Sequence, residues 1–309
     1  MIRVLFSATP DRWAEYRAPL TSSFGECGLD VDLATDHAPA DVDYIVFAPD
    51  GPVTDFTPYT ACKGVLGLWA GVETIVDNAT LTQPLARMVD TGLSEGMRDW
   101  VTGHVLRHHL GIDTDIHGQT GEWRPRSVPL ARDRRVGILG LGALGATCAR
   151  ALADLGFDVA GWSRSPKTID GVRTFHGDAG LSDSLARSEI LVLLLPQTPA
   201  TENTLNAATL ARLPAGAMII NPGRGPLIDD DALLDALDRG HIAHATLDVF
   251  RTEPLPSDHP FWAHPNVTVT PHIASTTRPD TAARTIAENI ARSESGKPML
   301  HLVDRDAGY

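Results

Sequence analysis

Three stretches in the second half of the chain place reactive side chains at the ends of apolar runs. Ile219-Ile220-Asn221-Pro222-Gly223-Arg224-Gly225 delivers an arginine, and Asp248-Val249-Phe250-Arg251-Thr252-Glu253 delivers an aspartate and a glutamate. Asn266-Val267-Thr268-Val269-Thr270-Pro271-His272-Ile273-Ala274 delivers a histidine. Singly, such residues are ordinary surface groups. Gathered at one edge of a sheet, a guanidinium, a carboxylate and an imidazole can bind an anion and move a proton near neutral pH. A fourth stretch offers different chemistry. Gly140-Leu141-Gly142-Ala143-Leu144-Gly145 fits G-x-G-x-x-G, with the apolar run Val136 to Leu139 before it and helix-forming residues to Leu155 after it. The first glycine suits a tight turn, the second admits a pyrophosphate to the backbone, and the third lets the helix pack on the strand. Free N–H groups at the helix start would then meet the phosphates of a dinucleotide.

These groups need a scaffold, and the pattern supplies one. Strands are expected at Val136 to Leu139, Val159 to Trp162, Ile190 to Leu194, Ala217 to Asn221, Ala245 to Val249 and Val267 to Thr270. Helices are expected at Ala143 to Leu155, Ser182 to Arg187, Asn206 to Arg212 and Asp230 to Arg239. This alternation predicts a doubly wound parallel sheet, whose ligands bind beyond the carboxyl ends of the strands. The turns at Gly140, Ser163, Leu195, Asn221, Asp248 and His272 are therefore expected to line one cleft.

Ahead of that region, strands are expected at Ile2 to Phe6, Val31 to Leu33 and Tyr44 to Phe47, a helix over Asp11 to Phe24, and loop over Pro49 to Pro58. Lys63 to Glu73 opens as a strand and ends in a small-residue turn, where the N–H groups of Ala70 and Gly71 suit an anion. Ser94 to His109 reads as an amphipathic helix with Met97, Trp100, Val101, His104, Val105 and His108 on one face. His104 and His108 have the spacing of a zinc pair, but Val105 stands where the zinc-protease motif needs glutamate, so we read them as packed or interface histidines and expect no metal. Residues 111–129 form a polar, turn-rich connection, and Thr276 to Arg292 a last helix with Ala283, Ile286, Ala287 and Ile290 on one face.

The second strand of the nucleotide fold carries the choice of dinucleotide. NAD sites usually hold an acidic residue there for the ribose hydroxyls. Here the segment reads Gly161-Trp162-Ser163-Arg164-Ser165-Pro166-Lys167. A serine hydroxyl and an arginine fork would bind a 2′-phosphate that a carboxylate would repel, which favours NADP(H), with NAD(H) possible.

Composition bounds the rest. At 309 residues the chain exceeds what one core usually carries, so two domains are expected. A formal charge of −13 argues against nucleic acid as the main partner. Cys27, Cys62 and Cys148 form no paired or metal-ligand spacing and suit a reducing cytoplasm. Met1 to Phe6 reads as a strand rather than a leader, and no apolar stretch reaches the length of a membrane span.

Taken together, these stretches resemble the D-isomer-specific 2-hydroxyacid dehydrogenases. The likeness rests on G-L-G-A-L-G at Gly140 to Gly145, L-L-P-Q-T-P-A-T at Leu194 to Thr201, N-P-G-R-G at Asn221 to Gly225, D-V-F-R-T-E-P-L at Asp248 to Leu255 and T-P-H-I-A at Thr270 to Ala274. L-W-A-G-V-E at Leu68 to Glu73 and W-S-R-S at Trp162 to Ser165 are similar to the family's glyoxylate/hydroxypyruvate reductase branch. The resemblance implies an NADPH-dependent reduction of a small 2-keto acid. His272 would be the general acid, Glu253 would hold its ring, and Arg224 would grip the substrate carboxylate and polarise the carbonyl. The N–H groups of Ala70 and Gly71 would take the other carboxylate oxygen, with Trp69 keeping the pocket small. Asp248 would meet the nicotinamide amide, and Leu195, Pro196, Pro222, Gly223, His272 and Ala274 would line the cofactor alongside Gly140 to Gly145 and Ser163 to Ser165. The implied fold has two doubly wound, Rossmann- or flavodoxin-like domains with a cleft between them. Residues 1–93 and 277–309 would form the substrate domain and 94–276 the dinucleotide domain, and two chains would pair as a homodimer.

Rival readings use the same fold. Formate dehydrogenases of this superfamily pair the histidine with glutamine, against Glu253 here. Phosphoglycerate-type dehydrogenases prefer NAD and an acidic residue where Ser163 stands. A nucleotide-sensing, corepressor-like protein would have little use for Arg224, Glu253 and His272 as a set.

Overall fold

The computed structural model describes residues 1–309. Two compact units emerge, residues Met1–Leu93 with Thr276–Tyr309, and Ser94–Ser275.

The first unit is built on β1 (Ile2–Ser7), α1 (Pro10–Glu26), β2 (Val31–Ala34), β3 (Tyr44–Phe47), β4 (Gly64–Gly67) and β5 (Leu85–Ala86). Its five strands are parallel in the order β2-β1-β3-β4-β5, the flavodoxin-like winding. Alternation along the strands feeds two cores. Val4, Phe6, Tyr44 and Val46 meet Tyr16 and Leu20 of α1 and the apolar stripe Ala283, Ile286, Ala287 and Ile290 of the returning C-terminal helix. Leu5, Ile45, Phe47 and Val65 face the other way. There the cover is irregular chain, with Val53, Phe56, Val72, Ile75 and Leu81 plugging the sheet, rather than the helices a doubly wound domain carries on both faces. Pro49, Pro52 and Pro58 among Asp, Thr and Gly residues explain why this stretch stays non-helical. The two-residue β5 was not foreseen; so short a strand has no readable alternation.

The second unit opens with α2 (Thr91–Leu110), which starts in the first unit, and α3 (Ile112–His117). It continues through β6 (Arg135–Leu139), α4 (Ala143–Asp154), β7 (Asp158–Ser163), β8 (Arg173–His176), α5 (Gly177–Arg187), β9 (Ile190–Leu193) and α6 (Ala207–Leu210). It ends with β10 (Ala217–Asn221), α7 (Asp230–Asp238), β11 (Ile242–Leu247) and β12 (Val267–Val269), before α8 (Pro279–Glu294) returns to the first unit. The seven parallel strands run β12-β11-β10-β9-β6-β7-β8, with the switch of winding direction between β6 and β9. Met97, Val101 and Val105 of α2 with Cys148, Ala149 and Leu152 of α4 cover one face. Leu185, Leu210, Leu233 and Leu237 from α5, α6 and α7 cover the other. Full burial of each such side chain contributes roughly 1.5–3 kcal/mol.

Two details differ from the sequence expectation. The turn-rich segment after α2 holds the short helix α3, tied back by a two-pronged ion pair from the Arg107 Nε to both Asp113 oxygens at 2.9 Å. The half-buried β8 is not among the expected strands, because its four residues sit at the sheet edge without an apolar run. His108 of α2 is buried, its Nε2 2.9 Å from the Thr246 hydroxyl, and its ring lies 5.1 Å from that of His244. His244 Nε2 is 2.8 Å from the Thr268 hydroxyl. Burial pushes the His108 ring down to about 3 and the His244 ring down to about 4.

Candidate active site

The cradle for a dinucleotide sits at the switch point of the second sheet. Gly140 has a φ of +105°, open to glycine alone at low cost, and lets β6 turn away beside the Leu194 carbonyl. A Cβ at Gly145 would lie 1.8 Å from the Gly140 carbonyl oxygen, so only glycine permits this approach of α4 to the strand end. Gly142 caps α4 without a side chain, and a Cβ built on it meets nothing within 4 Å. The open side of the turn is therefore the side facing the first amides of α4, where a pyrophosphate fits. Ala143 is exposed and Leu144 half-buried, while Leu141 is sunk in the core. Leu195, buried, and Pro196, half-buried, close the neighbouring strand end. Their loop is braced by the Thr201 hydroxyl, which donates to the Pro196 carbonyl at 2.7 Å. The residues present thus fit a dinucleotide.

At the end of β7 the serine is engaged within its own turn. The Ser163 hydroxyl donates to the Ser165 carbonyl at 2.7 Å, and Ser163 is buried. In this structure that hydroxyl shapes the turn. The exposed residues offered by this turn are Arg164 and Ser165.

The reactive side chains arrive on β10, β11 and β12, which are neighbours in the sheet. Arg224 follows β10 on a turn held by Asn221, whose Oδ1 accepts from the Gly223 N–H at 3.1 Å and whose Nδ2 donates to the Arg224 carbonyl at 2.9 Å. Pro222 and Gly223 are buried within that turn and Arg224 is half-buried. After β11, the Glu253 carboxylate accepts the Phe250 N–H through Oε1 at 2.8 Å, which leaves Oε2 for His272 Nδ1 at 2.7 Å. His272 follows β12 with a φ of +53°, and its ring is exposed enough to meet a substrate. With Nδ1 held by the carboxylate, Nε2 is the nitrogen left to carry a transferable proton.

Asp248 lies beneath this edge with no exposed surface. Its Oδ1 accepts from the Thr270 hydroxyl at 2.6 Å and the Ile273 N–H at 2.9 Å, and its Oδ2 accepts from the Ala274 N–H at 2.8 Å. Its own N–H donates to the Asn221 carbonyl at 3.0 Å, so the three strand ends are cross-tied. The free chain presents no Asp248 oxygen for a nicotinamide amide, because the loop that carries His272 and buries Ala274 is wrapped around it. Sequence reasoning overlooked Thr270 and Asn221 as supports; their signal was polar residues ending otherwise apolar strands.

Residues 102–274 match the family model described as D-isomer specific 2-hydroxyacid dehydrogenase, NAD binding domain. The chain belongs to that dehydrogenase family. It is 44% identical over 255 residues to the glyoxylate/hydroxypyruvate reductase A of Serratia proteamaculans, covering 80% of this chain and 82% of the relative. It is 40% identical to the same-named protein of Photorhabdus laumondii, covering 86% and 87%. Among solved structures, a D-isomer specific 2-hydroxyacid dehydrogenase from Xanthobacter autotrophicus Py2 in complex with NADPH and MES superposes with a TM-score of 0.92 at 44% identity, covering 100% of this chain and 99% of that one. An NADPH-dependent glyoxylate/hydroxypyruvate reductase from Sinorhizobium meliloti, in complex with NADP and sulfate, superposes with a TM-score of 0.86 at 37% identity, covering 100% and 99%.

In the other unit of this dehydrogenase, Trp69, Ala70 and Gly71 form the turn after β4, with the Trp69 carbonyl accepting the Met88 N–H at 3.0 Å. Trp69 remains 36% exposed, and the Arg12 guanidinium stands over its ring at 5.7 Å. Ala70 and Gly71 are half-buried. No helix of the structure is long and apolar enough to cross a membrane.

Proposed function

We propose that this dehydrogenase reduces a small 2-keto acid, glyoxylate or hydroxypyruvate, to the D-2-hydroxy acid, with NADPH as the electron donor. The observation that carries the proposal is the 2.7 Å pair of His272 Nδ1 and Glu253 Oε2, on the sheet whose switch point holds the glycine cradle. The names of the relatives and the NADPH and NADP held by the structural neighbours support the same reading. NADPH, when bound, supplies the hydride that reaches C2. His272 delivers the proton to the keto oxygen through Nε2, and Glu253 orients the ring. Arg224 holds the substrate carboxylate and steadies the charge that grows on the carbonyl oxygen. The Ala70 and Gly71 amides take the second carboxylate oxygen, and Trp69 limits the space beyond C2. Arg164 and Ser165 bind the 2′-phosphate.

The wider reading assigns residues 1–93 and 277–309 to substrate binding and 94–276 to the nucleotide, in a cytoplasmic homodimer. The segment after α2 supports the dimer, since it exposes Ile116, Leu130 and Trp123, the last 95% accessible. Sedimentation at the mass of two chains is the expected result, and a monomer at micromolar concentration would remove this part of the reading. The function itself is tested by initial rates with NADPH and NADH, each against glyoxylate, hydroxypyruvate, pyruvate and phenylpyruvate. NADPH-dependent turnover of the first two is expected. Preference for NADH would overturn the cofactor assignment, and tight nucleotide binding without any turnover would favour a sensor.

A further inference from the structure

His272 is held twice. Its ring is anchored by Glu253, and its backbone is anchored by a second device that uses no part of the ring. The N–H of His272 donates to the Asp248 carbonyl at 2.9 Å. The next two N–H groups, of Ile273 and Ala274, donate to the two oxygens of the same residue's carboxylate, at 2.9 and 2.8 Å. The Thr270 hydroxyl, two residues before the histidine, donates to Oδ1 at 2.6 Å. Four donors from five consecutive residues thus converge on Asp248. The backbone between them carries a left-handed φ of +53° at His272, which a side chain bearing a Cβ does not adopt without cost. Such a conformation persists where its surroundings over-determine it. The over-determining group here is a wholly buried carboxylate that accepts three hydrogen bonds from this one loop.

We infer that Thr270 and Asp248 form a latch that fixes the left-handed backbone of His272, making Thr270 a positioning residue for the proton transfer. The inference rests on the proposed reduction, because its kinetic consequence is read through His272. Thr270 is the informative member of the pair. Its hydroxyl can be removed while the β12 pairing and its own N–H, which donates to the Leu247 carbonyl at 2.9 Å, stay in place. Without the hydroxyl, Oδ1 keeps one donor in a site closed to water, and the loop loses one of its four ties to Asp248. A misplacement of about 1 Å in a reacting group can cost on the order of 10²-fold in rate.

The test compares wild type with Thr270→Val, Thr270→Ala and Thr270→Ser. Turnover of glyoxylate is measured in H2O and D2O, NADPH affinity by fluorescence titration, and amide hydrogen exchange over residues 271–275 by mass spectrometry. Thr270→Val and Thr270→Ala are expected to lower kcat by roughly 10- to 100-fold. The solvent isotope effect should rise as proton transfer becomes limiting, with NADPH affinity within about twofold of wild type and faster exchange at residues 272–274. Thr270→Ser, which restores the donor, is expected to return kcat to within about threefold and to restore protection. Wild-type kcat and exchange in Thr270→Val and Thr270→Ala would overturn the latch. A loss confined to NADPH affinity would overturn it too, and would put Asp248 in direct service of the cofactor. Absence of keto-acid turnover in the wild type would instead sink the proposed reduction, and the exchange comparison would still decide the latch.

Discussion

Lowering the pH from about 7 to about 5 is expected to weaken the second unit through two histidines, one on α2 and one on β11. His108 of α2 is buried against Thr246 of β11, and burial, with help from His244, Arg107 and His104, pushes its ring from 6.5 down to about 3; Asp113 opposes this weakly. In the unfolded chain the ring binds a proton below its ordinary value, while the folded chain refuses one until far lower pH. The unfolded state then holds more protons, so stability falls as pH falls from 6.5 towards 3. Between about pH 7 and about pH 5 the loss is about 2 kcal/mol for His108. His244, lowered to about 4, is partly exposed, so we discount its share to about 1 kcal/mol. The assay is urea unfolding followed by circular dichroism at both pH values, for wild type and His108→Gln. Glutamine keeps a donor for the Thr246 hydroxyl but cannot titrate, so carboxylate effects common to both proteins cancel in the comparison. The wild type should lose about 2 kcal/mol more than the variant across this range. Equal losses would refute the reasoning, since they would mean that the folded and unfolded states bind the His108 proton alike.

Three further outcomes follow from the catalytic edge and the dinucleotide cradle. Arg224→Ala should lower kcat/KM for glyoxylate by about 2–4 kcal/mol of transition-state stabilisation, the scale of a lost oxyanion donor; unchanged steady-state kinetics would remove its role. Arg164→Ser should cut the preference for NADPH over NADH, measured as a ratio of kcat/KM values, by about tenfold or more, because a charge-assisted bond contributes about 1.5–3 kcal/mol. Gly145→Ala should abolish NADPH binding in a fluorescence titration, because the new methyl would lie 1.8 Å from the Gly140 carbonyl oxygen and force α4 away from β6.

The inner strands of the second sheet, β6, β7, β9 and β10, were legible in the sequence because they are short apolar runs largely buried on both faces, each followed by a turn carrying a distinctive residue. Ala217–Asn221 and Ala143–Asp154 fall where the pattern puts them to within a residue. The elements that escaped, β5, β8 and α3, are two to six residues long and lie where periodicity has too few turns or alternations to register. Cover for one face of the first sheet escaped for a different reason. Val53, Phe56 and Leu81 act as single plugs from irregular chain, and isolated apolar residues carry no period.

At the catalytic edge, the division between legible and illegible follows range and charge. His272, Glu253 and Arg224 are visible because each is a reactive type placed just past a strand. Asp248, a support of that edge, is joined to Thr270, Ile273 and Ala274, 22 to 26 positions away, and the sequence marks such a pairing only by polar residues closing apolar strands. Ser163 shows the converse. A hydroxyl in the right position for a phosphate was read as a donor to the ligand, whereas a carbonyl two residues on claims its proton. A short polar side chain at a strand end has a turn of its own to satisfy before it has a ligand to bind.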